Sequence, residues 1–77
     1  MKYLGKKKDI YDIVGQNIKK YRKLKGWTQK ELADKAMVSD SLIAKLESVT
    51  HQTISLDNVE HIADTLGVNI KCMFDEE

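Results

Sequence analysis

Apolar residues recur along this chain at helical spacing, broken by short polar stretches that cap and release helices. Ile10, Val14, Ile18 and Tyr21 or Arg22 form one stripe, with Ile13 and Leu24 beside it, and predict a helix from about Asp9 to Lys25. Gly15 falls inside that stretch and either interrupts it or marks its true start. Gly26 is a natural left-handed terminator. Trp27 is expected to pack its ring over the junction that follows. Thr28 is a good N-cap for a second helix over 29–36, and Glu31 three positions on completes a capping box. Leu32 and Ala36 give this helix one apolar face, and Ala33 is small where a neighbour must come close. The run Ala36-Met37-Val38 breaks the period. Ser39 then caps a third helix over 40–47, with Ile43 and Leu46 inward.

Ser48 to Ser55 is polar and irregular. Leu56, Val59, Ile62, Ala63 and Leu66 predict a fourth helix, stopped by Gly67. A short last turn from Asn69 to Phe74 offers Ile70, Met73 and Phe74, and the acidic end Asp75-Glu76-Glu77 is expected to fray. No strand-type alternation persists. The expected fold is all-α: a compact bundle of about five short helices around a central helix-turn-helix. Residues 1–8 are expected to be a flexible basic arm, and 9–77 a single domain.

Composition narrows the function. With 77 residues, the core is small and stability modest. The formal net charge of +1 conceals a polarity. Residues 1–30 carry ten basic and two acidic side chains, whereas residues 31–77 carry three and ten. Such asymmetry suits an anion-seeking surface built mainly by the first half, or a solvated lysine tail beside an acidic helix surface. A single cysteine, Cys72, excludes an internal disulfide and reads as a small apolar group. His51 and His61 do not make a metal ligand set. No cofactor or small-molecule site is indicated. The start lacks the apolar run of a signal peptide and nothing reaches the length of a membrane span, so a cytoplasmic location is expected. No glycine-rich phosphate loop, nucleophile arrangement or carboxylate pair suggests an enzyme.

The segments IKKYRKLKGWTQKELADKA, MVSDSLIAKLE and ISLDNVEHIADTLGV, in that order and spacing, resemble the phage-repressor (Cro/CI-like, Xre) family of helix-turn-helix DNA-binding domains. The resemblance covers about residues 15–74 and implies a lambda-repressor-like fold. Arg22 and Glu47 each lie four residues after an inward isoleucine, and the family has an arginine–glutamate pair at the matching positions, so a structural ion pair is expected. Three features depart from the family: Met37 stands where glycine is usual, the loop SVTHQTI is long and lacks its common basic residue, and Asp40 opens helix three.

The resemblance implies that Asp40, Ser41 and Lys45 face base edges, with Leu42 near the rim. Lysine suits guanine O6 and N7, a carboxylate suits cytosine N4, and leucine suits a thymine methyl. Asp40 has a second possible role at the helix N-terminus. The implied backbone contacts come from Thr28, Gln29, Lys30, Lys19, Lys23, Lys25 and Ser39, with some of the lysines simply solvated. In the family the glutamine matching Gln29 also braces the residue that opens helix three. The basic arm either follows DNA or serves solubility. The implied function is a sequence-specific, double-stranded-DNA-binding transcription regulator, of repressor type, acting as a homodimer on a pseudo-palindrome. The dimer surface is expected at Ile70, Met73, Phe74 and the end of helix four, unless these residues close the monomer core. The alternative is a protein-interaction module on the same fold, in the manner of an antitoxin covering a toxin. The initial Met and the lack of a linker favour a self-contained regulator over a fragment.

Overall fold

The computed structural model describes residues 10–48 and 54–76. Within them the chain forms four α-helices: α1 (Ile10–Leu24), α2 (Gln29–Ala36), α3 (Asp40–Glu47) and α4 (Leu56–Leu66). A closing 3-10 helix, Ile70–Phe74, follows. The described residues contain no strand. The expected fifth helix is therefore a single tight 3-10 segment.

Local chemistry explains the boundaries. The Thr28 hydroxyl accepts the Glu31 N–H at 3.0 Å, and the Glu31 carboxylate accepts the Thr28 N–H at 2.8 Å, so the capping box is complete. Ser39 and Ser55 cap α3 and α4 through the N–H of Leu42 and Asn58, each at 3.1 Å. Asn69 accepts the Lys71 N–H at 2.9 Å and opens the 3-10 helix. At the other ends, Met37 and Gly67 adopt the left-handed conformation, with φ of 60° and 78°. The Val38 N–H reaches back to Ala33 O and the Val68 N–H to Ala63 O, both at 3.0 Å, which satisfies carbonyls the helices leave open.

The core gathers Val14 and Ile18 of α1, Leu32, Ala33 and Ala36 of α2, Ile43 and Leu46 of α3, and Val59, Ile62, Ala63 and Leu66 of α4, closed by Met73. The expected stripe of α1 needs correction at both ends. Ile10 is 44% and Leu24 73% exposed. They are the first and last residues of the helix; Ile10 stands at the edge of an apolar groove with Ile54, Leu56 and Phe74, only partly covered, and Leu24 faces outward at the far end. The buried stripe is Val14, Ile18 and Arg22, flanked by Gly15 and Asn17. Both of the alternatives at its end pack inward, Tyr21 half-buried and Arg22 buried.

Gly15 neither breaks nor starts the helix. A Cβ placed there would collide with the carbonyl oxygen of Leu46. The glycine lets α1 lie directly against the end of α3. Two residues on, the buried Asn17 amide donates to Met73 O at 2.7 Å and Asp75 O at 2.8 Å, tying the 3-10 helix to α1. Met73 is fully buried, and Ile70 and Phe74 pack on the core half-buried. The last segment thus closes the monomer, and Met73 has no surface left for a dimer contact. Cys72 is half-buried.

Candidate nucleic-acid interface

Helix α3 is held from behind and open in front. Ile43 and Leu46 are buried, while Asp40, Ser41, Ala44 and Lys45 are exposed. Three of the four residues expected to face bases therefore share the outer surface of one helix. The fourth, Leu42, is half-buried and packs partly against the core, so only its edge reaches the rim. Ala44, between Ser41 and Lys45 on the same face, was missed because it carries no polar group. The Ser39 hydroxyl is engaged as the cap of α3, and the Thr28 hydroxyl as the cap of α2, so each fixes a helix end on this surface.

The back of α3 is locked by charge. Arg22 donates through Nε to Glu47 Oε2 at 2.7 Å and through Nη2 to Glu47 Oε1 at 3.0 Å. Its third nitrogen, Nη1, donates to Trp27 O at 2.8 Å. Only 9% of the Arg22 side chain and 3% of the Glu47 side chain is exposed. The hydrogen bond to Glu47 and its negative charge hold the guanidinium more firmly protonated than a free arginine, outweighing the burial that works against its charge. The expected ion pair is thus present as a bidentate fork.

Gln29, the first residue of α2, donates through Nε2 to Glu47 Oε1 at 3.0 Å. Here the geometry departs from expectation: the glutamine braces the last residue of α3, not the first. The reason is the crossing of the two helices, which sets the start of α2 beside the end of α3. One carboxylate consequently joins α1, the α2 N-terminus and α3. The first amides of α2 have no partner within the helix by construction, which makes that N-terminus favourable for an anion.

The lysines divide. Lys19, Lys23, Lys25 and Lys30 are all exposed. Lys30 lies 3.7 Å from Asp34 on its own helix. Lys25 sits 5.7 Å from the centre of the Trp27 ring, with its ammonium near Gly67 at the negative end of α4. That placement sets the exposed Lys25 ammonium beside the junction of α1 and α4. Lys35, not singled out from the sequence, covers the Trp27 ring at 4.9 Å. His61, also missed, donates through Nε2 to Ala36 O at 2.6 Å and so caps the end of α2 from α4. Nothing in its spacing distinguished it from a solvated histidine. The loop segment 49–53, including His51, and the arm 1–8 lie outside the described residues. Among the described residues no group of side chains is placed to hold a metal ion, and no helix is long and apolar enough to cross a membrane.

A capped pair of short helices joined by a left-handed turn, the second presenting polar side chains outward, defines a helix-turn-helix domain. A helix-turn-helix family model matches residues 18–71. The chain belongs to that family, of the phage-repressor (Cro/CI-like, Xre) type. It is 35% identical over 65 residues to the HTH-type transcriptional regulator SinR of Bacillus subtilis (strain 168), covering 84% of this chain and 59% of SinR. It is 39% identical over 64 residues to the immunity repressor protein of Bacillus phage phi105, covering 83% of this chain and 44% of that protein. The chain therefore spans about half the length of these curated relatives. They are regulators, not enzymes. Among solved structures, a hypothetical transcription factor, NHTF, from Neisseria is similar with a TM-score of 0.82 at 27% identity, over 97% of this chain and 85% of that one. SinR in complex with DNA is similar with a TM-score of 0.74 at 35% identity, over 80% of this chain and 98% of that one.

Proposed function

We propose that this chain is a sequence-specific, double-stranded-DNA-binding transcription regulator, of repressor type, that reads the major groove with α3. The observation that carries the reading is the exposure of Asp40, Ser41 and Lys45 on a helix whose back is anchored by Ile43, Leu46 and the Arg22–Glu47–Gln29 cluster. A helix of this kind fits the major groove. The likeness to a SinR structure solved with DNA supports it. Lys45 reads guanine, Asp40 either accepts from cytosine or serves its own helix terminus, and the edge of Leu42 meets a thymine methyl. The α2 N-terminus, with Gln29 and Lys30, and the exposed Lys19 and Lys23 hold phosphates. A single module buries limited surface on DNA, so specificity calls for a homodimer, with reading helices about 34 Å apart on a pseudo-palindrome.

Selection of bound sites from random duplexes, followed by titration over a salt series, tests this. Lys45→Ala is expected to relax preference at one base pair in each half-site. Lys23→Ala is expected to weaken all sequences alike and flatten the slope of log affinity against log salt by about one unit. Unchanged base preference in Lys45→Ala removes that residue from the reading set, and absence of binding to any duplex in dilute salt refutes the function.

A further inference from the structure

An apolar groove of about 220 Å³ lies where the first turns of α1 and α4 meet the end of the 3-10 helix. Every residue that lines it is described, among them Ile10, Tyr11, Ile54, Leu56, Val59 and Phe74, and none belongs to α2 or α3. Ile10 and Leu56 leave large apolar side chains 44% and 65% exposed at its edge. Apolar side chains gathered in water in this way mark a contact surface. The volume is below the range of roughly 300–1,000 Å³ usual for small-molecule sites, so the groove suits a few side chains of another polypeptide better than a free ligand.

The surroundings of the groove set the charge of its occupant. Residues 54–76 carry five acidic side chains, Asp57, Glu60, Asp64, Asp75 and Glu76, against the basic Lys71. Asp57 follows Leu56, Glu60 stands one turn on from Leu56 on the same face of α4, and Asp75 and Glu76 follow Phe74; all four are exposed. The helix N-termini that meet here contribute about half a positive charge each, but each first turn holds a full carboxylate, Asp12 in α1 and Asp57 in α4. The balance at the mouth of the groove is therefore negative. Such a surface repels DNA, and a second copy docked groove to groove would set Asp57, Glu60, Asp75 and Glu76 against their own counterparts. A polypeptide bearing both apolar and basic side chains meets neither penalty.

We propose that this groove docks a segment of a partner protein in which two apolar side chains are flanked by lysine or arginine. The apolar pair covers Ile10, Leu56 and Phe74, and the flanking cations meet Asp57, Glu60, Asp75 and Glu76. The chain then holds a basic partner at the starts of α1 and α4 while α3 stays clear of that contact. The proposal does not rest on the DNA-binding reading.

Methyl-resolved NMR of the full chain without DNA, titrated with the synthetic peptide Lys-Lys-Leu-Leu-Lys-Lys, tests it. The Ile10, Ile54 and Leu56 methyl signals should shift saturably, while those of Ile43 and Leu46 in α3 stay in place. The peptides Glu-Glu-Leu-Leu-Glu-Glu and Lys-Lys-Ser-Ser-Lys-Lys should produce no saturable shift. Leu56→Ser, at an exposed position, should abolish the response with helical circular dichroism unchanged. Asp57→Asn combined with Glu60→Gln should weaken binding by roughly fivefold, the worth of two exposed ion pairs, and added salt should weaken it in the same direction. No shift with the basic peptide, or equal shifts with the basic and acidic ones, overturns the proposal. So do cross-peaks at the groove between differently labelled copies before peptide is added, which assign it to a second copy. Cross-peaks from the Ile54 and Leu56 methyls to residues 1–9 also overturn it and assign the groove to the chain's own segment. None of these readouts depends on whether α3 reads bases, and a failed selection of DNA sites leaves the peptide titration unaffected.

Discussion

Replacing Glu47 with alanine removes the acceptor of three hydrogen bonds, from Arg22 Nε, Arg22 Nη2 and Gln29 Nε2. The Arg22 side chain, 9% exposed, keeps only its bond to Trp27 O and carries a charge with no counterion. Breaking a buried pair from one side typically costs about 3–5 kcal/mol, mostly the penalty of stranding the remaining charge. A domain of this length has a total stability of roughly 4–12 kcal/mol. The substitution should therefore remove about a quarter of it or more. At roughly 4–8 °C per kcal/mol for a small domain, the midpoint of thermal unfolding should fall by at least about 12 °C. Circular dichroism during a thermal ramp measures this, and urea titration provides the free energy. The same logic requires strong coupling: Arg22→Met combined with Glu47→Leu should be far less damaging than the sum of the single changes, because the pair leaves no stranded charge. A Glu47→Ala midpoint within about 2 °C of the parent, or additive effects in the double substitution, would refute the account of this cluster.

Gly15→Ala should destabilise by at least about 1 kcal/mol in urea titration, because the new Cβ meets the Leu46 carbonyl and neither backbone can yield, although alanine is the better helix former. Met37→Gly should stabilise by about 0.5–1 kcal/mol in the same assay: relief of left-handed strain of about 1–2 kcal/mol exceeds the added freedom of the unfolded chain, and the side chain, 89% exposed, gives up little packing. The pKa of Arg22 is raised in the folded state, so its contribution is complete below the ordinary arginine range and is lost only as pH climbs above it. Thermal midpoints followed from neutral to moderately alkaline pH should accordingly show no loss attributable to this pair.

The helices were legible because their signals are local. Thr28 with Glu31, Ser39, Ser55 and Gly67 each act on amides or carbonyls within a few positions, and α2 and α3 run Gln29–Ala36 and Asp40–Glu47 as their caps and periods require. The outward position of Asp40, Ser41 and Lys45 follows from the inward one of Ile43 and Leu46 on a short helix. Arg22 and Glu47 were legible as a pair because two opposite charges shared inward faces and matched a family pattern.

The sequence by itself determined where helices start and stop and which face of each turns inward, since capping and periodicity act over three or four residues. Only the tertiary structure decided what each face meets. It pressed Gly15 against Leu46, aimed Asn17 at the 3-10 helix and joined Gln29 to the far end of α3. It also drew Lys25 toward α4 and left Ile10 and Leu56 on an open groove. Those outcomes depend on how helices cross after their loops, and crossing is settled by packing between residues distant in the chain, which no local spacing encodes.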